Sequence, residues 1–101
     1  MPRLNCTKIT FYSSADEVGF FAALNSIKAI KSIRGAGDTL ILSVPTRLSE
    51  SSLRNLLGVF HRYKIDMAQL SPFKNSANQD WFYDPKAFWF KKVFGGSFIQ
   101  I

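Results

Sequence analysis

The chain has 101 residues, a formal charge of +6 and an isoelectric point near 9.8, with 47% hydrophobic and 20% charged residues. That composition excludes a disordered chain and describes one domain able to bury a single core. One cysteine, Cys6, excludes an internal disulfide and a multi-thiolate metal site.

Residues 4–12 are rich in β-formers and predict a first strand, with Ile9 and Phe11 turned to the core and Cys6 as a small buried apolar residue. Ser14 with Glu17 three residues on reads as a capping box. Phe20, Phe21, Leu24 and Ile27 then recur at helical spacing, so a helix is expected over about 15–27. Lys28 to Arg34 predicts a second strand, and Gly35-Ala36-Gly37-Asp38 the turn that follows it. Thr39 to Val44 is a β-branched and aliphatic run that predicts a central strand ended by Pro45.

The second helix is the clearest element. Ser49 is its cap, and Leu53, Leu56, Leu57 and Phe60 stand on one face, with Arg54, Asn55, His61 and Arg62 on the others. Met67 to Ser71 predicts a short strand stopped by Pro72, and residues 74–80 a polar loop. The order strand, helix, strand, strand, helix, strand predicts an α+β, ferredoxin-like split βαβ fold. It has a four-stranded antiparallel sheet and two helices on one face. One domain over 1–101 is expected, with its core over 4–73 and an aromatic C-terminal segment over 80–101.

That segment is the most unusual part of the chain. Trp81, Phe82, Tyr83, Phe88, Trp89, Phe90, Phe94 and Phe98 are interleaved with Lys86, Lys91 and Lys92. Asp84 as cap, Pro85 at the first helical position and Gly95-Gly96 as a stop predict a helix of about three turns. A strand over Phe88-Trp89-Phe90 is the alternative. The segment is available to cover the open face of the sheet. Ser97 to Ile101 alternates and reads as an edge strand or a frayed end.

Little in the sequence supports catalysis. His61 is the sole histidine and has no carboxylate near it in sequence. Asp16, Glu17, Glu50, Asp38 and Asp84 have local roles at helix starts and turns, and Asp66 follows the second helix next to Arg62 and Lys64. Gly35-Ala36-Gly37-Asp38 lacks the residues of a phosphate cradle. No catalytic residue, metal or cofactor is expected. No apolar run approaches the ~20 residues that cross a bilayer. The amino-terminal residues do not read as a secretory signal, so a cytoplasmic protein without a membrane partner is expected.

The aromatic segment therefore carries the functional expectation. Trp81, Phe82, Tyr83, Phe88 and Trp89, with Lys91 and Lys92, are the candidate protein interface, since tryptophan and tyrosine are frequent interface anchors. Another protein or a second copy of the chain is the expected partner. The alternative is sequence-tolerant binding of RNA or single-stranded DNA, with rings against bases and lysines on phosphates. The central strand, Thr39 to Val44, has no ring to serve the sheet-based stacking of RNA-recognition modules.

A small, cysteine-poor α/β chain with the segments Trp81-Phe82-Tyr83-Asp84-Pro85 and Phe88-Trp89-Phe90-Lys91-Lys92-Val93-Phe94-Gly95 resembles the small bacterial toxin-immunity proteins in size and architecture. The resemblance implies a cytoplasmic inhibitor that occludes a toxin, and it assigns no residue a role. The positive charge favours an acidic partner over a nuclease.

Overall fold

The computed structural model describes residues 2–95. Strand β1 (Arg3–Thr7) is followed by helix α1 (Ser14–Ser26), strands β2 (Ser32–Ala36) and β3 (Thr39–Ser43), and helix α2 (Glu50–Arg62). A 3-10 helix (Ala68–Phe73) and two single-turn helices, α3 (Gln79–Phe82) and α4 (Phe90–Val93), complete the described chain.

The sheet has three strands in the order β1-β3-β2, all antiparallel. The expected α+β class holds, and the expected fourth strand does not form. Residues 68–73 coil into the 3-10 helix instead. Asp66 starts it, its Oδ1 accepting from the Ala68 N–H at 3.0 Å. The buried side chains of Met67, Leu70 and Phe73 recur every third residue, the repeat of a 3-10 helix rather than of a strand. Pro72 has no N–H to give to a ladder. The segment nonetheless lies beside β1. The Gln69 amide accepts from the Asn5 N–H at 2.8 Å and donates to the Asn5 carbonyl at 2.9 Å. One side chain thus makes the two bonds that a neighbouring strand would have made to Asn5.

The other boundaries follow local chemistry. β1 ends at Thr7 because Lys8 turns to φ +53°, so Ile9 and Phe11 lie past the strand, half-buried against the core. The α1 cap is Ser13 rather than Ser14: its Oγ accepts from the Asp16 N–H at 3.3 Å, and Asp16 reaches back to the Tyr12 N–H at 2.9 Å. The β2–β3 hairpin turns on Gly37-Asp38, with the single positive φ, +62°, at Gly37. That is the requirement of a II′ turn, which glycine meets without strain. Ser49 caps α2 as expected, accepting from the Ser52 N–H at 3.1 Å.

α2 closes with a Schellman motif. The Ile65 N–H donates to the Phe60 carbonyl at 2.9 Å and the Lys64 N–H to the His61 carbonyl at 3.4 Å, with Lys64 at φ +58°. Glycine is the usual residue at that position, and a side chain there costs about 1 kcal/mol.

Cross-strand pairing sorts the sheet into two faces. Leu4, Leu42 and Ile33 form one row, and Cys6, Leu40 and Gly35 the next. These rows face the core, which they share with Phe20 and Leu24 of α1 and Leu53, Leu56, Leu57 and Phe60 of α2. The opposite face carries Arg3, Ser43 and Ser32, then Asn5, Ile41 and Arg34, then Thr7, Thr39 and Ala36.

Candidate functional site

The aromatic segment is built from two short helical turns joined by a tight turn, and the three-turn helix does not form. Asp84 does act as a local cap: its Oδ1 accepts from the Lys86 N–H at 2.9 Å, and its carbonyl from the Ala87 N–H at 2.9 Å. The turn stops there. Consecutive bulky rings at Phe88, Trp89 and Phe90 are weak helix formers. Trp89 gains a buried bond by folding back, its indole N–H donating to the Phe82 carbonyl at 2.8 Å. Ser97 to Ile101 lie outside the described residues.

The segment lies along the polar side of α2 and against the 3-10 helix. Two contacts align it with α2. The Arg54 guanidinium sits 4.1 Å from the Trp81 ring centroid, and His61 meets Phe88 edge-on at 4.8 Å. Arg54 and His61 share one face of α2, two turns apart. α4 packs on the 3-10 helix. The expected cover of the open sheet face is thus not made by the described part of this segment. The Asn78 side chain secures its approach, donating to the Phe73 carbonyl at 2.9 Å and accepting from the Asn75 N–H at 2.8 Å.

The seven candidate interface residues divide by burial. Phe82 is fully buried and Trp89 is 8% exposed, so both close the core together with Phe94. Trp81 is half-buried beneath Arg54. Tyr83 is 36% exposed, with the Lys74 ammonium 4.7 Å from its ring centre. Phe88 is 55% exposed, and Lys91 and Lys92 are exposed on α4.

The structure links two of these surface groups through His61. Phe88 rests on His61, and the Lys92 ammonium lies 3.3 Å from His61 Nδ1. An ammonium can only donate, so Nδ1 is the accepting atom of this contact. The result is an apolar ring fixed at the surface with a cation beside it. His61 belongs to this patch, which its place on the polar side of α2 alone did not indicate.

The patch presents an apolar ring, an imidazole and an ammonium at the surface. Among the described residues, no group of three or more His, Cys, Asp or Glu is placed to hold a metal. Burial pushes the Cys6 thiol up to about 12, which suppresses the thiolate that nucleophilic chemistry needs. Among the described residues, no helix is long and apolar enough to cross a membrane.

A second surface feature carries no sequence signature. Lys8, Thr10, Tyr12, Asp16, Arg62, Tyr63 and Lys64 line an open cleft of about 360 Å³ between the end of β1 and the end of α2. It contains both non-glycine residues of positive φ among the described residues, Lys8 and Lys64.

No family model, curated protein or solved structure matches this chain.

Proposed function

We propose that this protein is a non-catalytic binding module of the cytoplasm that docks an acidic protein, in the manner of an inhibitor or immunity factor. The observation that carries the reading is Phe88, a large ring left 55% exposed yet held in place by His61. A rigid ring that loses little freedom on binding is a good interface anchor. Lys92 stands beside it and Lys91 is exposed on the same short helix, so an acidic partner surface is the complementary one. The wider charge agrees: 13 basic residues face 7 acidic ones. Among the described residues, only Arg54 and Glu50 form a salt bridge between side chains. Cys6, free and buried, suits a reducing compartment.

Phe88→Ala tests the reading. It should cost the complex about 2 kcal/mol or more if the ring is an anchor, while the unfolding midpoint stays within a degree or two. Unchanged partner affinity for Phe88→Ala would refute it. If the partner is a second copy of the chain, the same variant converts dimer to monomer in solution.

Single-stranded nucleic acid is the second reading. It is favoured by Arg3 and Arg34, which share the open sheet face with no acid between them. That face carries no ring on which a base could stack, so phosphate contacts alone would hold the strand. Its signature would be affinity that falls steeply with salt, by a slope of about 0.7 per phosphate contact.

A further inference from the structure

Lys8 and Lys64 occupy left-handed backbone, at φ +53° and +58°, where glycine would sit without strain. Both line the same cleft, together with Arg62. The two come from unrelated elements, one following β1 and the other following α2. Residues held at a backbone cost cluster where the side chain has work to do. The negative end of the α2 dipole accounts for one cation at Lys64. It accounts for Arg62 too, in the last turn of α2, but not for a second strained lysine brought to the same cleft from the end of β1. The lining holds three cations against one acid, Asp16, which already accepts from the Tyr12 N–H at 2.9 Å.

From this we infer that the cleft binds the phosphate monoester of a small metabolite, with a nucleoside monophosphate as the best fit. Lys8, Lys64 and Arg62 meet the phosphate charge, and the Thr10 hydroxyl supplies a neutral donor. Tyr12, 82% exposed, offers a ring face at the rim for a planar base. A cleft of about 360 Å³ is at the small end of ligand sites, which suits one nucleotide and not a polymer. This site shares no residue with the Phe88 patch and stands apart from the docking proposal.

The test uses the full chain and calorimetric titration at constant ionic strength set with chloride. The probes are adenosine monophosphate, inorganic phosphate and adenosine. Saturable binding of the monophosphate, competed by inorganic phosphate and not matched by adenosine, is expected. Stronger binding of the monophosphate than of inorganic phosphate, lost in Tyr12→Ala, assigns the base to Tyr12; equal binding of the two removes the base contact and overturns the nucleotide. Lys64→Gly and Lys8→Gly should each raise Kd about tenfold and also raise the unfolding midpoint, because glycine relieves the backbone. Lys31→Ala, an exposed lysine outside the cleft, should do neither. The inference is overturned if the wild type shows no saturable binding, if the two glycine variants bind as the wild type does, or if Lys31→Ala weakens binding as much as they do. A fall in the midpoint of both glycine variants would equally overturn it, since the lysines would then serve the fold.

Discussion

Gln69 stands in for a strand at Asn5. Its amide takes the Asn5 N–H at 2.8 Å and gives a proton to the Asn5 carbonyl at 2.9 Å, so the outer edge of β1 is closed at its midpoint by a side chain. The same amide donates to the Asp66 carbonyl at 2.8 Å, which ties the edge to the start of the 3-10 helix. An edge closed this way is protected against pairing with another chain.

Gln69→Ala removes both bonds to Asn5. Water replaces them in part, because the site is near the surface, so the expected loss is about 1 kcal/mol in urea unfolding. Size-exclusion chromatography at rising concentration should show the variant associating further than the wild type. A variant as stable as the wild type and no more associated would mean that the bonds to Asn5 are incidental.

Trp89 and Phe88 are adjacent in sequence and opposite in role. Trp89→Ala empties a buried site and should cost roughly 3–5 kcal/mol of unfolding free energy. Trp89→Phe keeps much of the volume but strands the Phe82 carbonyl, at a cost of about 1–3 kcal/mol. Phe88→Ala should change stability by less than about 0.5 kcal/mol. Chemical denaturation of the three variants checks the contrast.

Cys6 gives the protein an alkaline limit. Its thiol keeps its proton up to about 12 in the fold, against 9.0 for the unperturbed group, because burial disfavours the thiolate. Between those values the unfolded chain has lost a proton that the folded chain retains, so stability falls as pH rises, by at most about 1.4 kcal/mol per pH unit. Below pH 9 the term is fully present as stability. Cys6→Ala should lose this part of the alkaline slope, seen as a shallower fall of unfolding free energy between pH 9 and 11 than in the wild type. At neutral pH the thiol should react with a thiol reagent only at the rate of unfolding.

Much of this fold is legible in the sequence where one signal is strong and local. The Ser49 cap and the Leu53-Leu56-Leu57-Phe60 stripe specify α2, and the turn expected over Gly35-Ala36-Gly37-Asp38 places the hairpin, although Gly35 and Ala36 pair within β2 and only Gly37-Asp38 turn. The fourth strand illustrates the limit. Met67 to Ser71 before Pro72 reads as a short strand, while Met67, Leu70 and Phe73 repeat in threes. The Asp66 side chain on the Ala68 N–H and the missing N–H of Pro72 decide for the 3-10 helix.

In the aromatic segment, Asp84 and Pro85 signal a helix start and a turn equally well. The indole of Trp89 chooses between them by bonding the Phe82 carbonyl. The concentration of rings is visible in the sequence, but their division into core and surface is not. Phe82 is buried against Trp81 and Phe94, while Tyr83 beside it meets Phe90 and Phe94 and keeps an exposed face under Lys74. The cleft lysines are the least legible feature. Nothing local marks Lys8 as the residue where a strand turns left-handed.

The docking proposal is tested most directly by a photo-reactive phenylalanine placed at Phe88, with a second at Val18, an exposed apolar position on α1, as the reference. Irradiation in the host cell followed by mass spectrometry reads out what each position touches. The account predicts a discrete adduct at position 88 with one acidic protein, or with a second copy of this chain, and none of that mass at position 18. Adducts to nucleic acid at position 88, or the same set of products at both positions, would contradict it.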